Sequence, residues 1–267
     1  MISIQHCTVG RVTPLGEWLT PSRLTATVFR TLVSLFLVII LWRALYAHTR
    51  ESAGLDADQA VTFMVLATLV IRARVSGRWI HRDTMVQHIQ YGTILYWFTR
   101  PIEPRRYYFV RAMGELAYGL AIALISYVFC LALGLISLPA SPSYGAAFAV
   151  SLALGQAIFY QIMLTLDLLC FWTVVNASAL QIAFFVINLM SGGFAPLWFF
   201  PHWFLSMSQW LPFQGLMNTP LSLYIGRISL AEVGWTLGLQ LLWASLLCAF
   251  SQWLWKRAAR RVVVQGG

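Results

Sequence analysis

The sequence has 267 residues, of which 59% are hydrophobic and only 10% charged, with a formal net charge of +9. A soluble domain carries about 25% charged residues, so this composition places most of the surface against lipid. The positive balance does not point to nucleic acid: the arginines sit at the ends of apolar runs, and no RRM, zinc-finger or helix-turn-helix pattern is present.

In chain order, residues 1–26 are polar to amphipathic. Trp18, Leu19, Leu24 and Val28 line one face of an interfacial helix, broken at Pro21, and Arg11, Arg23 and Arg30 precede the first apolar run. That run, Thr31–Leu45 with its flanks, reaches the roughly twenty residues a bilayer requires and defines span 1 at about 28–47. It starts too far from the N-terminus for a signal-peptide core, and Trp42, Arg43 and Tyr46 stand where a small-residue cleavage site would be. The mildly acidic stretch Tyr46–Gln59 suits the outside. Span 2, about 57–75, is the weakest: its apolar core Val61–Ile71 is short, and Arg72 and Arg74 mark its cytoplasmic end.

Residues 72–111 form the long polar segment, with eight arginines against Asp83 and Glu103. A basic loop between two spans belongs in the cytoplasm by the positive-inside rule. Within it, Tyr91–Thr99 is apolar but too short to span, and it ends at Arg100-Pro101, where proline stops a helix. It reads as an interfacial or partner-contacting helix. Span 3 follows at about 114–138, then a tight outer turn at 139–143, span 4 at about 146–172 and span 5 at about 179–199.

Residues 191–229 are apolar and aromatic, yet Pro196, Pro201, Pro212 and Pro220 cut them into pieces too short to cross. Backbone at membrane depth must satisfy its own hydrogen bonds. The segment therefore forms either two short helices that enter and leave the outer leaflet or an aromatic belt lying flat at the interface. Span 6, about 232–255, is followed at once by Lys256, Arg257, Arg260 and Arg261, and carries one GxxxG at Gly234 and Gly238. This topology puts fifteen of the eighteen basic residues on one side and both termini in the cytoplasm. The fold class is an all-α integral membrane protein with six transmembrane helices in a single domain, 1–267.

Chemistry is sparse. Cys7, Cys130, Cys170 and Cys248 are isolated, with no CxxC and no histidine at ligand spacing, so no metal site is expected. HExxH, GxSxG and Walker A patterns are absent, and the sole lysine is Lys256; the chain is not a P-loop ATPase and shows no catalytic constellation. Asp167 lies within an apolar run. Intramembrane acids are costly and point to function; isolated near the cytoplasmic end of its helix, Asp167 also fits a structural pair with a basic residue of the large loop. Gln156, Gln161, Asp167 and Asn188 would line a polar path or serve as interhelical glue.

Two stretches carry a family resemblance. One is Ile89-Gln-Tyr-Gly92 running to Phe98-Thr-Arg-Pro101; the other is Ser191-Gly-Gly-Phe, Pro196, Phe200-Pro201, Leu211-Pro212-Phe213 and Pro220. With six spans and the basic loop, they resemble the permease subunits of ABC-2 type exporters, in the bacterial branch that was formerly a domain of unknown function. Gln90 departs from the basic residue often found before the glycine. The resemblance implies a homo- or heterodimeric permease of the bacterial inner membrane, with a separate ABC ATPase subunit binding ATP and Mg, and no cofactor in this chain. It implies that Gly92, Leu95, Trp97, Arg100, Pro101, Arg105 and Arg106 belong to an ATPase-coupling loop, and that Gly192, Gly193, Pro196, Pro201, Pro212, Phe213 and Pro220 shape an outer hairpin. The competing readings are a six-span membrane enzyme or a secondary carrier acting on lipid or amphipathic substrates.

Overall fold

The structure, a computed structural model, describes residues 21–48, 51–75, 88, 104–173 and 177–265. Helix α1 (Pro21–Leu45) opens on Pro21, which starts this helix because proline at the first position needs no amide donor and is preset in φ. Its buried side chains Leu35, Ile39 and Trp42 recur at helical spacing as one stripe, while Phe29, Phe36, Leu37 and Leu41 are exposed. A two-residue hairpin follows, β1 (Glu51–Ser52) against β2 (Leu55–Asp56), a small exception to the all-helical expectation. Its turn needs a left-handed backbone at both central residues, Ala53 and Gly54, and Tyr46 donates to the Ser52 carbonyl beside it.

Helix α2 (Ala57–Val75) differs from α1 in being buried nearly all round, from Ala60 to Ala67 and again at Leu69, Ala73 and Arg74. It packs between α1 and α3 (Pro104–Ala132). Helix α3 begins well before the third predicted span, so Arg105, Arg106 and Arg111 are helical residues; Pro104 sits at the start, where proline is favoured. Helix α4 (Pro142–Leu169) has Ser141 as its N-cap, accepting from the Tyr144 amide, with Pro142 as its first residue. Helix α5 (Ala177–Ser191) stops short of the predicted limit at 199, because Gly192 takes a left-handed φ of 81° and the Gly193 amide returns to the Asn188 carbonyl.

The 191–229 segment contains a 3-10 turn at Leu197–Phe199, helix α6 (His202–Ser208), a second 3-10 turn at Gln214–Leu216 and helix α7 (Asn218–Tyr224). Every residue of α7 is buried, and α7 packs on α4. Helix α8 (Val233–Gln265) lies along α4 and continues through the C-terminal cations. Among the described residues, four helices are long and apolar enough to cross a membrane: Leu24–Leu45, Arg105–Ala132, Pro142–Leu169 and Val233–Arg260. Helix α5 is apolar but has 15 residues, roughly 22 Å against a hydrocarbon core of about 30 Å.

Candidate functional site

The polar groups that the fold buries converge on the turn before α7. Arg74 ends up 7% exposed on α2. Its Nε donates to Gln156 Oε1 at 3.0 Å, and its Nη2 donates to the Leu216 carbonyl at 3.0 Å. The guanidinium carbon lies 5.0 Å from the centre of the Phe159 ring, while Nη1 has no hydrogen-bond partner. One guanidinium thus ties α2, α4 and the 214–216 turn together. Arg72 takes the other side of α2 and donates to Ser34 Oγ on α1; two residues apart on a helix, the two arginines face nearly opposite ways.

The neighbouring carbonyl in the same turn is held from α8. Gln240, 3% exposed, donates through Nε2 to Gly215 O at 2.7 Å and to Ser151 O at 3.2 Å, and its Oε1 accepts from Ser151 Oγ at 2.9 Å. Backbone carbonyls away from water cost several kcal/mol each if left unpaired, so Arg74 and Gln240 are what allow this turn to lie inside the bundle. Close approach of the turn to α4 depends on Gly155: a Cβ there would stand 2.5 Å from the Gly215 carbonyl oxygen. Gly119 does the same between α3 and α2, where a Cβ would stand 2.0 Å from the Ala73 carbonyl oxygen.

The far end of α7 is fastened to the turns that hold Ser137 and Gly54. Tyr224 donates to Ser137 O at 2.9 Å and its hydroxyl lies 2.8 Å from that of Tyr127. Arg227 donates to Gly54 O at 2.9 Å and stacks over Trp198 at 4.2 Å. Between the hairpin and α8 lies a cavity of about 180 Å³ whose walls include Trp210, Trp235, Trp243, Gln214 and Gln240, and no charged side chain. No cluster of metal-ligating side chains occurs among the described residues.

The four residues named for a polar path or interhelical glue make separate contacts. Gln156 meets Arg74; Gln161 accepts from Ser251 Oγ at 2.7 Å; Asn188 returns its Nδ2 to the Phe184 carbonyl of its own helix. Asp167, near the end of α4, shares the electrostatic surroundings of Tyr160 with Arg105. Of the hairpin residues, Gly192 and Gly193 end α5, Pro196 and Pro201 precede the short helical turns, Pro212 lines the cavity, Phe213 leads into the 214–216 turn, and Pro220 lies in the first turn of α7. Gly92, Leu95, Trp97, Arg100 and Pro101 lie outside the described residues; Arg105 is half-buried and Arg106 exposed at the start of α3.

Arg74, Gln240, Ser151 and Tyr224 were not singled out by sequence. Arg74 read as a boundary cation beside Arg72, although the turn between them puts one of the pair inward. Gln240 had a signal: it is an amide in the middle of the apolar run Val233–Phe250.

No curated protein and no solved structure matches the chain. The family profile described as ABC-2 family transporter protein matches residues 32–266, a range that takes in α2, the polar segment, the buried turn and α8. A chain of several long apolar helices that matches this family over nearly its whole length is a multi-pass membrane protein, and it belongs to the ABC-2 family of transporter permeases.

Proposed function

We propose that this chain is the transmembrane subunit of an ATP-binding cassette exporter and that it forms the substrate pathway as a dimer with itself or a similar permease. ATP and Mg are bound by a separate ATPase subunit, and this chain needs no cofactor of its own. Six spans cross the inner membrane of a bacterium, with α2 and α5 completing the four long helices and both termini in the cytoplasm. Segment 191–229 re-enters the membrane from outside; support comes from the complete burial of α7 and the internal pairing of the 215 and 216 carbonyls.

One observation carries the reading. The two helices that flank the polar segment, α2 and α3, are locked together at Ala73 and Gly119, and the next residue, Arg74, reaches the hairpin. A force applied to the segment therefore has a contiguous packed route to the hairpin. In this proposal Gly92, Leu95, Trp97, Arg100, Pro101, Arg105 and Arg106 present the coupling surface to the ATPase. The test replaces Leu95 and Trp97 with polar residues. The ATPase should be released on purification, or its hydrolysis uncoupled from transport, while the permease still inserts and dimerises. An ATPase that stays bound with unchanged substrate stimulation would reduce the segment to a membrane anchor.

A further inference from the structure

We infer that Glu115 is a movable counter-ion that exchanges Arg111 for Arg74 during the transport cycle. The inference rests on the permease reading and assigns the device that carries loop movement to the hairpin.

The starting point is an unbalanced charge. Arg74 is buried with two neutral acceptors, a ring face and a bare Nη1, and no carboxylate among the described residues is within ion-pair range of it. A guanidinium removed from water calls for a counter-charge, because neutral acceptors offset only part of its lost hydration. The bare nitrogen's surroundings contain one. Arg74 and Glu115 both line a cavity of about 40 Å³, together with Gln156, Phe159 and Tyr160. That space exceeds what a single water needs, so the carboxylate has room to turn.

The backbone fixes how near the two groups stay. Gly119 lies one helical turn after Glu115, on the same face of α3, and is in contact with Ala73. Glu115 therefore projects beside Arg74 from the tightest helix contact in this part of the molecule. In the present conformation its Oε1 accepts from Arg111 Nε at 3.1 Å within α3. That pair is a weak competitor. It is an i,i+4 pair with the cation first, the less favourable order on a helix.

The exchange has a mechanical meaning. With Glu115 on Arg111, Arg74 spends its donors on Gln156 and Leu216, and the hairpin is held. With Glu115 on Arg74, the guanidinium has a bidentate partner and the hold on the Leu216 carbonyl weakens. Rotation of the Glu115 side chain, beside an α2–α3 contact that stays closed at Gly119, selects between the two. Tyr160, with Arg105 and Asp167 in its electrostatic reach, closes the charged surroundings on the α4 side.

The test uses the full complex of permease and ATPase in nanodiscs, reading permease-dependent ATP hydrolysis for Arg74→Gln, Glu115→Gln, Arg111→Gln and the Arg74→Gln/Glu115→Gln double variant. Each of the first two should lower the rate about tenfold, the weight of a charge-assisted hydrogen bond. The double variant should be no slower than the slower single, and Arg111→Gln should lower the rate less than either single, since Arg111 is the partner that Glu115 leaves. Multiplying effects at Arg74 and Glu115, or a Glu115→Gln rate equal to wild type, would overturn the exchange. If Arg74→Gln does not assemble, the charge swap Arg74→Glu with Glu115→Arg decides: recovered assembly and hydrolysis support the pair, and no recovery rejects it. A wild-type chain that binds no ATPase sinks the permease reading and the exchange with it, whereas a working complex with independent effects sinks the exchange alone.

Discussion

Helices α2 and α8 are opposites. Helix α8 is 33 residues long and reads without ambiguity as a membrane span, yet only 6% of its apolar window is buried within the chain. Helix α2 has 19 residues, carries Asp58, Arg72 and Arg74, and falls outside the four helices that length and apolarity identify; it is nonetheless buried on almost every face. Hydropathy reports contact with lipid. A helix surrounded by its own protein is free to carry charge where a partner awaits it, so the weakest apolar signal marks the centre of this fold.

The contrast can be broken most severely at its glycines. Gly119→Leu drives a side chain into the Ala73 backbone and should destabilise the chain by at least about 3 kcal/mol or prevent accumulation in the membrane. Gly238→Leu on α8 meets nothing within 4 Å and should leave thermal unfolding of the monomer within about 0.5 kcal/mol. Equal effects would mean that α2 and α8 do not differ in the way described. Next in size is Arg74→Ala. It strips donors from Gln156 and the Leu216 carbonyl, and a loss of about 2–3 kcal/mol is expected in denaturant or thermal unfolding in detergent.

How far the sequence reaches follows the same division. The long apolar helices α1, α3, α4 and α8 and the short helical pieces of 191–229 were legible because lipid demands uninterrupted apolar length and proline interrupts helices visibly. The end of α5 was less so: Phe194–Phe200 stays apolar past Ser191, and only the left-handed Gly192 stops the helix. Arg74 was hidden because charge at a span end is ordinarily a headgroup contact. Its true neighbours, Gln156 and Leu216, are 82 and 142 residues away in sequence, and no local pattern announces such a meeting. The predicted coupling residues from Gly92 to Pro101 lie outside the described residues, so that part of the reading still rests on the motif.

A finer test lies within α8 itself. Gln240→Leu leaves the Gly215 carbonyl and Ser151 short of partners and should cost about 1–3 kcal/mol. Leu241→Ala, one residue further on an exposed face, should cost under about 0.5 kcal/mol. The comparison measures how much of α8 is held by one amide. The smallest effect is expected at Asp167. Asp167→Asn should leave reconstituted transport and its pH dependence unchanged, because the residue is read as structural; loss of transport with normal assembly would restore it as a proton relay.

The completely buried α7 has a consequence for biogenesis. Seven residues cannot cross a bilayer, and a segment with open carbonyls at 215 and 216 gains nothing by entering lipid alone. Its receptacle is assembled from helices made at different times: α2 and α4 precede it during synthesis, but Gln240 lies on α8, which follows it. The hairpin therefore reaches its final seat only after the last helix has been made and has packed against α4. Until then the cell's insertion machinery handles a nascent chain whose centre is incomplete, and truncation between residues 217 and 239 leaves Arg74 its partners but the Gly215 carbonyl without its Gln240 donor.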